Sequence, residues 1–185
     1  MTLTTLPKID AQPTSHIAVT ALSKLDQSDF VLKLEGIFEH SPWVAARAWA
    51  DRPFHNRSDL ERALQSAMWC ASRNELLDLI RAHPELAGKA AASGQLTKES
   101  THEQAGAGLN ACTPEQLVKI QQLNAAYMEK FGWPFIVAVR GMNVDAIIAA
   151  IQTRLDHTAE QEFEQALQQI SRIASLRLDG LLIDA

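Results

Sequence analysis

Between His83 and Gln104 the chain gathers side chains that can move protons and hold anions. His83 opens the stretch His83-Pro84-Glu85-Leu86-Ala87, and Ser100, Glu103 and Gln104 close it. An imidazole with an ordinary pKa of ~6.5 takes and gives protons near neutral pH. A carboxylate beside it can orient it or act on a charged ligand, and a hydroxyl and an amide can hold a ligand by hydrogen bonds. The spacing predicts a helix that stops at Pro84, a loop of small residues from Ala90 to Gly94, and a new helix starting at Ser100 or Thr101. Helix ends and loops are where reactive groups are commonly displayed. The same residues also read as a helix C-terminus, a linker and a capped helix start, with Glu103 favoured by the macrodipole in the first turn. Residue types alone do not decide between the two.

The elements that must carry these side chains are helices. Ser28, Ser41 and Ser58 are candidate N-caps, with Pro42 at a first helical position and Glu61 completing a capping box. Phe30, Val31, Leu34 and Phe38 then share one face, as do Leu60, Ala63, Leu64, Ala67 and Met68. Asn74 can start the helix that ends at His83. Thr113-Pro114-Glu115-Gln116 starts a long helix with Ile120, Leu123, Asn124, Tyr127 and Phe131 on one side, closed by Gly132. Trp133 to Val139 is a short extended apolar run. Asn143 caps Val144 to Leu155, and a last helix runs from about Thr158 to Leu178. This predicts an all-α single domain of about eight helices, over residues 26–185, with a pocket between helix ends and loops. Residues 1–25 read as a loose arm, in part a short helix.

Composition narrows the function. The chain has 185 residues, 46% of them hydrophobic, enough for one sizeable core. A net charge of −5 argues against nucleic acid as a partner. Cys70 and Cys112 form no CxxC pair and no metal-ligand spacing, so free thiols in a reducing compartment are expected. No signal peptide and no apolar run of membrane-spanning length is present, so a bacterial cytoplasm, with no membrane partner, is the default setting. Gly106-Ala107-Gly108-Leu109-Asn110-Ala111 fits GxGxxA, but it follows a helix start rather than a strand, so it is no dinucleotide site. His102-Glu103 does not extend to HExxH, because position 106 is Gly. Trp43, Trp49 and Trp69 read as core residues.

Several separated motifs, in order, resemble one family. They are Phe38-Glu39-His40-Ser41-Pro42-Trp43, Arg52-Pro53-Phe54, His83-Pro84-Glu85-Leu86-Ala87, and Ser100-Thr101-His102-Glu103-Gln104 running on through Gly108-Leu109. Further on come Asn124-Ala125-Ala126-Tyr127, Lys130-Phe131-Gly132, Pro134-Phe135-Ile136, Arg154-Leu155 and Leu176-Arg177-Leu178. Over about Phe30 to Leu182 this pattern is similar to the OHCU decarboxylases. These act on 2-oxo-4-hydroxy-4-carboxy-5-ureidoimidazoline, the last intermediate between urate and (S)-allantoin.

The resemblance implies a catalytic pair, His83 and Glu103, with Pro84, Ser100, Gln104, Phe135, Ile136 and Arg177 meeting the substrate. Arg154 also sits in a family-like motif and competes with Arg177 as the source of positive charge. The resemblance further implies a cofactor-independent carboxy-lyase with no metal, a homodimer, and functional coupling to urate oxidase and hydroxyisourate hydrolase. Two other readings stand beside it: a non-catalytic all-α binding or scaffold homologue, and a metal-dependent ureide hydrolase.

Overall fold

The computed structural model describes residues 16–183, so positions 1–15 of the expected arm lie outside the described residues. The described chain is all-α. Its ten α-helices are α1 (Val19–Leu22), α2 (Gln27–Lys33), α3 (Pro42–Ala48), α4 (Arg57–Trp69), α5 (Arg73–Arg81), α6 (Lys89–Ala92), α7 (Lys98–Gly106), α8 (Pro114–Phe131), α9 (Val144–Arg154) and α10 (Ala159–Leu181). The count exceeds eight because α1 and α6 are single turns. Short 3-10 turns follow α3 and α7. The only β-bridge among the described residues ties the two ends together. Ile17 N–H donates to Leu181 O at 3.0 Å, and Ile183 N–H donates to Ile17 O at 3.1 Å. With Val19 and Leu22 buried, residues 16–25 pack on the body of the fold.

Local chemistry starts most helices where a short polar side chain can accept a backbone N–H. Thr113, Asn143 and Thr158 cap α8, α9 and α10, and the first and last complete capping boxes with Gln116 and Gln161. Gly132 closes α8 in the left-handed region, at φ 78°. Four starts lie upstream of their expected positions. Asp26, not Ser28, caps α2, and Asn56, not Ser58, caps α4. Ser72, not Asn74, caps α5, in a capping box with Glu75. Thr97, not Ser100, caps α7. In each case an earlier side chain accepts the N–H three residues on, and a cap of this kind contributes about 1 kcal/mol.

The core lies between α2, α3, α4, α5, α8, α9 and α10. Phe30 and Phe54 stack with ring centroids 5.8 Å apart. A second aromatic cluster joins Tyr127, Phe131, Trp133, Phe135 and Phe163. Trp69, expected in the core, is 45% exposed. It follows the buried Met68 by one residue, about 100° round the helix, and so turns off the apolar stripe. The run 133–139 is extended but unpaired, and it lies between α8 and α9 as a strap. Among the described residues no helix is long and apolar enough to cross a membrane.

Candidate active site

His83 lies just past the Ala82 C-cap of α5. Its Nδ1 lies 2.9 Å from Leu79 O, one helical turn back. A carbonyl oxygen only accepts, so Nδ1 carries the proton and Nε2 keeps its lone pair. The residue is 8% exposed. Burial pushes its pKa down to about 4, against smaller upward pulls from the Leu79 carbonyl and the Glu39 charge. Near neutral pH His83 is therefore a neutral imidazole, ready to accept a proton.

The loop that follows is held in an uncommon shape. Ala87 has φ 50°, a left-handed conformation that side chains other than glycine rarely adopt. Two amides hold it there. Gln104 Oε1 accepts Ala87 N–H at 2.9 Å, and Asn124 Nδ2 donates to Leu86 O at 2.9 Å. With its carbonyl engaged, Gln104 offers the NH₂ end to a ligand. Ser100, Glu103 and Gln104 lie inside α7 rather than at its start, because the cap is Thr97. Their spacing of three and four puts them on one helix face.

Arg177, in the last third of α10, is the hub. Its Nε and Nη2 meet the two oxygens of Glu103, each at 2.8 Å. Nη2 also donates to Ser100 Oγ at 3.2 Å. Nη1 donates to Gly36 O at 2.7 Å and to Glu39 Oε2 at 2.8 Å. Ser100 Oγ in turn donates to Glu39 Oε2 at 3.0 Å, and Thr97 Oγ1 donates to Glu39 Oε1 at 2.7 Å. Burial alone would raise the Glu39 carboxyl. The Arg177 charge and the bonds from Thr97 and Arg177 outweigh it and hold the pKa below its ordinary value. Sequence reasoning assigns Glu39 no role. Its motif was visible, but its partners lie 58, 61 and 138 positions away.

The strap 133–139 closes the far side. Arg154 Nη1 donates to Ile136 O at 2.6 Å, and its guanidinium lies 4.5 Å from the Phe135 ring centroid. Arg154 is itself paired with Glu162, which also takes the Tyr127 hydroxyl and His157. Arg154 therefore supports the strap from behind. The N–H groups of Ile136 and Val137 meet no acceptor among the described residues.

His83, Pro84, Ser100, Glu103, Gln104, Phe135, Ile136 and Arg177 all line one small cavity, with Leu86, Val137, Val139 and Ile173. Arg154 does not line it. The cavity is small, about 30 Å³. A wider groove of about 630 Å³ runs over Leu32, Ile37, Pro42 and Ala45. It gathers no converging set of buried polar groups, so the chemistry belongs to the smaller cavity. No hydrogen bond joins Glu103 to His83 among the described residues; Glu103 pairs with Arg177 instead. Among the same residues no three His, Cys, Asp or Glu side chains come together as a metal-ligand set.

Comparison with known proteins identifies the family of the chain. Residues 23–179 match the family model described as OHCU decarboxylase. A 2-oxo-4-hydroxy-4-carboxy-5-ureidoimidazoline decarboxylase of Haloferax volcanii is 41% identical over 163 residues, 88% of this chain and 95% of that protein. The uric acid degradation bifunctional protein PucL of Bacillus subtilis is 39% identical over 88% of this chain, which matches 32% of that longer protein. A crystal structure of (S)-allantoin synthase superposes with a TM-score of 0.70 at 30% identity, covering 90% of this chain and 54% of that one. The chain belongs to the OHCU decarboxylase family.

Proposed function

We propose that this protein decarboxylates 2-oxo-4-hydroxy-4-carboxy-5-ureidoimidazoline to (S)-allantoin, the third step from urate. The observation that carries the reading is the convergence of His83, Ser100, Glu103, Gln104 and Arg177 on one cavity beside Phe135 and Ile136, in a chain of this family.

Losing CO₂ requires a place for the electron pair. Many enzymes import a sink such as pyridoxal phosphate. This substrate carries one, because its carboxylate sits on a ring carbon next to a ring C=N bond. The bond to the carboxylate breaks, its pair forms a ring C=C bond, and the imine pair moves onto nitrogen, which takes a proton. The carbon bearing the ureido group is then protonated on one face. The neighbouring hydroxyl loses its proton as the ring carbonyl forms, for a net uptake of one proton. No step in this sequence calls for a cofactor.

The residues divide these tasks. Arg177 offers a planar fork to the carboxylate. The free N–H groups of the strap and the Gln104 amide hold ring and ureido oxygens. Phe135 packs on the flat ring. Neutral His83 takes the hydroxyl proton at Nε2 and returns a proton to carbon, fixing the handedness. Glu103, beside Arg177, presses its charge against the substrate carboxylate. The cavity must widen to admit the substrate, and Glu103 has room to move, its side chain 20% exposed. The working form we propose is a cytoplasmic homodimer, coupled in function to urate oxidase and hydroxyisourate hydrolase.

The test generates the unstable intermediate in place from urate with those two enzymes and follows optical activity. Addition of this protein should speed CO₂ loss and give allantoin of one hand. Slow formation of both mirror images at the uncatalysed rate would refute the reading.

A further inference from the structure

We propose that Glu39 is a positioning residue for this site: its buried carboxylate fixes the Arg177 guanidinium and the Ser100 hydroxyl, and leaves Glu103 as the partner that Arg177 exchanges for an anionic ligand. The proposal rests on the reading of Arg177 as the carboxylate anchor. A guanidinium has five N–H donors. Those of Arg177 already serve Glu103 twice, Ser100, Glu39 and Gly36 O. An arriving carboxylate can reach the fork only by displacing one of these acceptors.

Their surroundings decide which one leaves. Glu39 is 1% exposed, and both its oxygens are taken, Oε1 by Thr97 and Oε2 by Ser100 and Arg177. It does not line the cavity. Pulling it out would strand a buried carboxylate and two hydroxyls without partners, a large penalty. Gly36 O is backbone, and Gly36 has φ 89°, a conformation that favours glycine and fixes where its carbonyl points. Glu103 differs on each count. Its side chain is 20% exposed, it lines the cavity, and Arg177 is the only hydrogen-bond partner of its oxygens among the described residues. It also occupies the Nε–Nη2 edge, the edge that receives a carboxylate by two parallel bonds. The resting site thus holds its own carboxylate in the seat a substrate carboxylate would take.

Opposite signatures are expected from the two glutamates. Glu39→Gln keeps the shape and loses the charge and one acceptor. In the full chain, with the intermediate generated in place, KM should rise about tenfold, as for loss of uniform binding, with kcat within about threefold. Allantoin formed at saturating substrate should remain the (S) hand. Glu103→Gln should lower kcat without raising KM, because the amide competes less well for Arg177. Glu39→Asp, which keeps the charge but falls short, should raise KM about threefold. Arg177→Ala is the reference. If it leaves KM unchanged, the anchor reading fails and takes the proposal with it. If it raises KM while Glu39→Gln does not, or while Glu39→Gln lowers kcat alone or gives racemic product, only the role of Glu39 is overturned. A Glu103→Gln variant whose KM rises as far as that of Arg177→Ala overturns the exchange. Failure of both Glu39 variants to fold would assign that residue to the fold alone and overturn its positioning role.

Discussion

Replacing His83 with asparagine should flatten the acid sensitivity of the fold as well as stop catalysis. Burial holds the folded-state pKa of His83 down to about 4, against an ordinary value of 6.5. Between those values the unfolded chain binds the proton and the folded chain does not, so stability rises with pH across the window. The contribution is fully present above pH 6.5 and is lost as pH falls towards 4. At ~1.4 kcal/mol per pKa unit the complete loss is about 3 kcal/mol, and about 2 kcal/mol of it should appear between pH 7 and pH 5. Asparagine keeps a polar side chain of similar reach and does not titrate, so this part of the slope disappears. Urea unfolding of both proteins at pH 7, 6 and 5, followed by far-UV circular dichroism, isolates the difference. Glu39, whose charge interacts with His83, is held below its ordinary carboxylate value and so changes little over this pH range in either protein. Parallel stability curves would refute the neutral, buried imidazole. The same variant should lose roughly 10²-fold or more in kcat, the usual range for an acid–base group, with product drifting towards the racemate. A His83→Asn protein that makes pure (S)-allantoin at the normal rate would falsify the assignment outright.

Arg177→Ala should raise KM more than Arg154→Ala does, because Arg177 lines the cavity while Arg154 backs the Phe135–Ile136 strap. Steady-state kinetics on both folded variants decide it, and the reverse order would move the anchor. Glu103→Gln should be impaired in kcat to an extent comparable with His83→Asn. The two losses should be close to additive, since Glu103 pairs with Arg177 and not with His83; a double variant no worse than the worse single would make them one unit. Exhaustive chelation and dialysis should leave turnover unchanged, and activity lost and then restored by zinc would overturn the mechanism.

What the sequence disclosed depends on the range over which each feature is determined. Thr113, Asn143, Thr158 and Gly132 act on backbone groups within a few residues, so their roles were legible. The start of α7 was not, because two hydroxyls compete for one function. Thr97 takes the cap, and the Ser100 hydroxyl, already inside the helix, is held instead by Glu39 and Arg177, residues contributed by distant segments. Arg177 and Arg154 looked alike for the same reason. Each is a basic residue next to a leucine on an amphipathic helix, and each is 7% exposed in the fold. Only the tertiary partners separate a guanidinium in the cavity from one behind its wall. Glu39 was hidden most completely. A buried carboxylate is rare unless it is paired, and neither its burial nor its partners can be read from Phe38-Glu39-His40-Ser41.

The charges of the site also account for a feature that a simple binding pocket would not retain. One guanidinium faces two carboxylates, with a neutral imidazole beside them. The set is therefore one negative charge in excess before any ligand arrives. Adding a substrate carboxylate makes the imbalance worse, and for plain anion binding Glu103 would be a defect. For a decarboxylase the same defect has a use. The reaction removes the ligand's carboxylate as neutral CO₂ and moves the electron pair onto the ring, away from the two glutamates. Repulsion that is relieved as the bond breaks lowers the barrier, whereas attraction made equally in both states does not. On this reading Glu39 keeps Arg177 in place, Arg177 admits the carboxylate, and Glu103, displaced but still on the wall, makes its departure favourable.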